Sequence, residues 1–161
     1  MEHAIRKHCK VHLAEDPVLY QKLSDKLEAL IQQFKDNWDL LCQHLAGLRS
    51  EAQAGRKQEI GGVSAKAAPF YDVIGQIAYA DAVPSADADV AKQLVDAVLA
   101  KLRATIGMVN FWNKAADVAD LRGELSDLLL FSNIDAIVNK SDRIVTEIAA
   151  LAKVRQKDIL A

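Results

Sequence analysis

The sequence predicts an all-α fold, and three observations carry that reading. Helix-favouring residues dominate, and only three prolines and seven glycines are spread over the 161 residues. β-Branched residues never form the alternating runs of a half-buried strand. Apolar residues recur instead in steps of three and four, the period of a helix with one buried face. With 51% hydrophobic residues the chain is long enough to bury a core, and it reads as a single domain over 1–161.

Glu2 to Leu13 sets Ala4, Ile5, Val11 and Leu13 among charged residues and predicts a short first helix. Asp16 before Pro17 reads as an N-cap followed by proline at the first helical position, where its missing N–H costs nothing. From Tyr20 the series Leu23, Leu27, Leu30, Phe34, Trp38, Leu41, Leu45 and Leu48 forms a near-heptad seam. Unbroken to Ala54, it makes one helix about 60 Å long at the ~1.5 Å rise of an α-helix. The expected fold is therefore a helical bundle organised around one very long helix in the N-terminal half. The seam stops at Gly55 and lacks consistent e and g charge pairing, so it reads as a bundle core element rather than an intermolecular coiled coil.

Gly55 to Ser64, with Arg56, Lys57, Gln58, Glu59 and Gly61-Gly62, has no apolar period and is expected to be an exposed, mobile connection. A further helix is expected from about Ala65 to Ala80, with Phe70, Val73, Ile74 and Ile77 inward and Pro69 in its first turns. Pro84 ends it, and Ser85 or Asp87 is placed to cap a helix whose face is Val90, Leu94, Val98, Leu102 and Ile106. Asn110 is placed to cap the next, which takes Phe111 and Trp112 inward and continues through Val118, Leu121, Leu125 and Leu128. Ser132 and Asn133 suggest a break. A short turn of helix follows through Ile134 and Val138, and Ser141 can cap a last helix with Ile144, Ile148, Leu151 and Ile159 inward.

Charge and motifs narrow the chemistry. Twenty Lys and Arg stand against 22 Asp and Glu, so there is no overall positive field to draw in a phosphate backbone. Cys9 and Cys42 are too few for a disulfide framework, no apolar run approaches membrane-spanning length, and a reducing cytoplasm is the expected compartment. There is no phosphate-binding G-x-x-x-x-G-K-[ST] loop, no G-x-S-x-G elbow, and no H-E-x-x-H or C-x-x-C pair. No Asp or Glu has lysine two residues later, the spacing that metal-dependent restriction nucleases use. The chain is expected to be non-catalytic.

His3, His8, Cys9 and His12 form the one cluster with metal-ligand residue types, and the two histidines four apart would share a helical face. Cys9 faces elsewhere on that helix and no second pair follows at finger spacing. The expectation is a solvated basic face with Arg6, Lys7 and Lys10, and no bound metal or cofactor. Phe111 and Trp112 beside Lys114 have the residue types of a stacking platform for single strands, but Val118 and Leu121 continue the same face and favour core packing. Lys153, Arg155 and Lys157 read as a solvated last turn that complements the helix dipole.

Several blocks resemble the C-terminal region of type I restriction enzyme R subunits. They are Glu2-His3-Ala4-Ile5-Arg6-Lys7-His8, Glu15-Asp16-Pro17-Val18-Leu19-Tyr20, Leu23-Ser24-Asp25-Lys26-Leu27 and Phe34-Lys35-Asp36-Asn37-Trp38. Pro69-Phe70-Tyr71, Asn110-Phe111-Trp112, Leu121-Arg122 and Leu125 follow in the order and spacing of that region. The first blocks are fairly specific and the later ones short. The resemblance implies a parent polypeptide with a metal-dependent nuclease and ATP-driven motor domains, using ATP and Mg, of which this chain is the helical C-terminal part. It further implies docking to the modification and specificity subunits and to the parent's own motor domains, with DNA bound mainly by the parent. None of the family's nuclease or ATPase motifs has a counterpart here, so no catalytic residue carries over.

Two faces are candidates for docking. One is the amphipathic first helix with Arg6, Lys7 and Lys10; the other is the outer side of the long helix with Tyr20, Lys35 and Gln43. Two other readings stand beside the assembly role. A DNA-contacting module of the same motor would bind with a steep salt dependence. A self-associating helical protein would show concentration-dependent sedimentation.

Overall fold

The computed structural model describes residues 1–56 and 62–161, and among them every regular element is helical. The expectations for Lys57, Gln58, Glu59 and Gly61 lie outside the described residues. The sequence reads as one domain; by contact density the chain falls into two compact units, Met1–Gln58 and Glu59–Ala161.

The first unit is a three-helix arrangement of α1 (Glu2–His12), α2 (Pro17–Gln33) and α3 (Trp38–Ala54). Asp16 caps α2 as expected, its carboxylate accepting from Leu19 N at 3.2 Å ahead of Pro17. The very long helix does not form. Phe34 closes α2 and the side chain of Asn37 accepts from Leu40 N at 3.3 Å, starting a new helix at Trp38. The longest helix of the described residues is 18 residues, Ala88–Thr105, in the second unit.

Cross-links show how α2 and α3 run. Lys26 pairs with Glu51, Asp16 with Arg56, and the Phe34 ring stacks on His44. Later residues of one helix meet earlier residues of the other, so the two form an antiparallel hairpin. Arg6 on α1 meets Glu28 on α2, and His12 meets Tyr20, so α1 is antiparallel to α2 in turn. Ile5, Cys9, Tyr20, Leu23, Leu27, Leu41, Leu45, Leu48 and Ala52 fill the centre. Val11, expected inward, is exposed because the buried stripe of α1 runs through Ile5 and Cys9 instead.

The second unit contains α4 (Ala68–Tyr79), α5 (Ala88–Thr105), a 3-10 turn (Phe111–Asn113), α6 (Ala115–Leu130), α7 (Asp135–Val138), α8 (Ser141–Val154) and α9 (Gln156–Leu160). Helix α8 packs on α4 and α6, and α5 on α4, α6 and α9. Phe70, Ile74, Val98, Leu102, Phe111, Leu121, Leu125, Leu129, Ile144 and Ile148 are fully buried. Most predicted inward positions are therefore found there. Val90 is exposed, with Ala91 taking the inward place, and Leu129 is buried where Leu128 was expected.

The turns differ more than the helices. Asn110 does not cap α6 with its side chain; it adopts φ 57°, a left-handed conformation that Asn tolerates, and turns the chain into the 3-10 segment. Asp87 precedes α5 but makes no cap bond, because its carboxylate accepts the Tyr79 hydroxyl at 2.7 Å. The last predicted helix divides at Arg155 into α8 and α9. Gln156 holds that corner, accepting from Trp112 Nε1 at 3.0 Å and donating to the Ile106 carbonyl at 2.9 Å.

Candidate interaction surface

Five of the six expected surface residues are exposed: Arg6, Lys7 and Lys10 on α1, Lys35 in the α2–α3 turn, and Gln43 on α3. On α1, Ile5 and Cys9 point inward, and Lys7 lies on the opposite side by the helical period. Arg6 is engaged locally, donating to Glu2 at 2.8 Å and to Glu28. Bonds to Glu2, then Glu28, hold its guanidinium above the ordinary arginine value. These charges are half exposed and solvent-screened, so they orient α1 more than they stabilise it.

Tyr20 is the exception and corrects the expectation: it is only 8% exposed. Counting back from Leu27 and Leu23 in steps of four and three reaches Tyr20, so it belongs to the inward stripe of α2. Its ring lies 5.9 Å from that of His8 and 5.7 Å from that of His12. These histidines, expected on a solvated face, are half-buried between α1, α2 and the end of α3. His8 Nε2 lies 3.0 Å from the Ala52 carbonyl oxygen, which is among the last four carbonyls of α3 and has no partner within its helix.

Beside them sits a buried ion pair. Asp16 is 4% exposed, and Arg56 donates to it from Nε at 2.5 Å and from Nη2 at 3.3 Å. Arg56 was expected in an exposed connection. Gly55 turns the backbone with φ 57°, which brings Arg56 back across the open end of the hairpin to the cap of α2.

The feature that periodicity hid most completely is Trp38. Counted as a seam residue, it is 72% exposed at the first position of α3. Leu40, two residues on, is also exposed, and Phe34, half-buried, stacks on His44 with ring centroids 4.5 Å apart. Lys35 stands in the same turn and Gln43 lies farther along α3. The closed tip of the hairpin therefore presents an exposed tryptophan, with Leu40 exposed two residues on and Lys35 in the preceding turn. The available signal was Asp36-Asn37, a turn and cap pair, which removes Trp38 from a continuous seam. Exposed apolar side chains occur in the second unit too, at Val109 and Phe131.

Phe111 is buried and meets Trp112 edge-on at 5.1 Å. Trp112 is half-buried and held by Gln156, so this pair packs inside the second unit rather than offering two stacking faces. Cys9 and Cys42 are unpaired thiols. Among the described residues no helix is long and apolar enough to cross a membrane. No family model, curated protein or solved structure matches the chain.

Proposed function

We propose that this chain is a helical docking module, and specifically the C-terminal assembly domain of a type I restriction enzyme R subunit. The observation that supports docking is the hairpin tip: a tryptophan 72% exposed, with Leu40, Lys35 and Gln43 also exposed on the same hairpin. Tryptophan is enriched among the residues that dominate binding energy, and an apolar centre with a polar rim is the usual anatomy of such a contact. The specific assignment rests on the sequence blocks from Glu2 to Trp38. In this reading the modification and specificity subunits are the partners, the parent polypeptide supplies the ATP- and Mg-dependent chemistry, and the complex works in the cytoplasm.

The test is co-purification of the chain with purified modification and specificity subunits at moderate salt, after nuclease treatment to remove bridging DNA. Retention is expected. Loss of the chain from the complex, with its helicity intact, would move the docking surface to the motor domains and contradict the assignment. Retention only without nuclease would instead favour the DNA-contacting reading.

A further inference from the structure

His8 and His12 lie four apart on one face of α1, with ring centroids 4.4 Å apart and planes tilted by 43°. One nitrogen of each ring faces a group that can only accept. His8 Nε2 faces the Ala52 carbonyl oxygen at 3.0 Å, and His12 Nδ1 faces Glu15 Oε2 at 2.9 Å. Neither a carbonyl nor an ionised carboxylate has a proton to give, so these two nitrogens carry the N–H of the neutral rings. The tautomers follow. His8 Nδ1 and His12 Nε2 hold the lone pairs.

Metal-ligating histidines are oriented in this way, with the far N–H on a backbone carbonyl or a carboxylate and the other nitrogen left for the ion. We propose that His8 and His12 bind one first-row divalent ion of the copper(II) or nickel(II) class, through His8 Nδ1 and His12 Nε2, with water completing its coordination. The rings are close enough to share one ion. Imidazole nitrogens suit that class, which stands highest in the affinity order of first-row divalent metals. Among the described residues no three His, Cys, Asp or Glu side chains are placed to hold a metal, so this is a two-ligand site. Glu15 and the Ala52 carbonyl are its positioning groups, and an ion bound there stabilises the native first unit by binding it in preference to the unfolded chain.

The experiment titrates copper(II) chloride alone into the full chain carrying His3→Ala, because a histidine third from an amino terminus chelates copper by itself. Calorimetry is expected to give one ion per chain, and the paramagnetic resonance spectrum two imidazole nitrogens. His12→Gln and His8→Ala each weaken binding at least about tenfold, and Glu15→Gln about tenfold through its hold on His12. His44→Ala leaves binding unchanged. Copper raises the melting temperature of the His3→Ala chain but not of one that also carries His12→Gln. Because His8 also closes the end of α3, helicity is checked for each variant, and His12→Gln carries the test if His8→Ala does not fold. Absence of stoichiometric binding by the folded chain, or binding that survives His12→Gln, would overturn the proposal.

Discussion

Asp16 serves two structures with one carboxylate: it caps α2 through Leu19 N and holds Arg56 in a two-point ion pair. The cap was legible, since Asp before Pro is a local signal. The ion pair was not, because its partner lies 40 residues away across a hairpin the seam concealed. A cap alone contributes about 1 kcal/mol, and breaking a buried ion pair costs more. Asp16→Ala should therefore lower unfolding free energy in urea by about 2 kcal/mol or more. Asp16→Asn, which keeps a cap and loses the charge, should cost less. An Asp16→Ala loss no larger than a cap would mean that the ion pair contributes nothing.

Tyr79 gives a pH prediction at the same scale. Burial, then the hydrogen bond to Asp87, pushes its hydroxyl up to about 12 from the ordinary value near 10. A raised acid resists ionisation in the folded state. The stability it contributes is therefore complete below about pH 10 and is lost as pH rises toward 12. An ultraviolet phenolate titration should show a late component that shrinks by one phenol in Tyr79→Phe. A late component left unchanged by that substitution would contradict the bond to Asp87.

At the scale of elements, the helices were legible where apolar spacing was regular, as for α2, α4 and the inward face of α8, while Ser141, expected to cap the last helix, is instead the first residue of α8, preceded by Lys140 with no side-chain cap bond. The long helix was misread for a physical reason. The turn from Phe34 to Asn37 is as long as one helical step, so the spacing from Phe34 to Trp38 to Leu41 survives a reversal of chain direction. Periodicity reports which face is apolar and is blind to such a turn. Similarly, Asn110 was read as a cap because Asn serves both as an N-cap and in left-handed turns, and the choice depends on the backbone that follows.

Helix α4 offers an opposed pair of tests. A Cβ on Gly75 would lie 2.9 Å from the Asp81 carbonyl oxygen and 3.0 Å from Val83 N, where the chain folds back against the helix. Gly75→Ala must displace backbone and should cost about 1–3 kcal/mol despite alanine's better helix propensity. Ala80 ends the same helix at φ 59°, a left-handed cap position that glycine occupies without strain, while Lys140 donates to the nearby Ile77 and Ala78 carbonyls at 2.9 and 3.1 Å. Ala80→Gly should stabilise by up to about 1 kcal/mol. Thermal unfolding of the two variants should move in opposite directions; a shift of the same sign would contradict this account of the turn.

For the whole molecule, the helical class followed from composition and period, and the division into two compact units did not, because each unit is built from the same amphipathic pattern. The candidate surface was half legible. Lys35 and Gln43 were placed outward by their position opposite the seam, while Trp38 was assigned to the core by the same spacing that joined α2 to α3. Exposed charges and exposed aromatics differ in what they offer a partner: charges steer encounter, and a desolvated tryptophan supplies most of the binding energy. The docking account therefore makes Trp38, rather than Lys7 or Lys10, the residue on which affinity depends.

The measurement that tests this most directly is the affinity of the chain for the purified modification and specificity subunits, compared with that of Trp38→Ala. The exposure of Trp38 means that the substitution removes little from the fold, so the variant should keep its helicity and melting temperature. The account predicts stoichiometric binding weakened at least about thirtyfold by Trp38→Ala, the equivalent of about 2 kcal/mol. Binding of the two chains with equal affinity would remove the hairpin tip from the interface, and no binding by either folded chain would contradict the docking function itself.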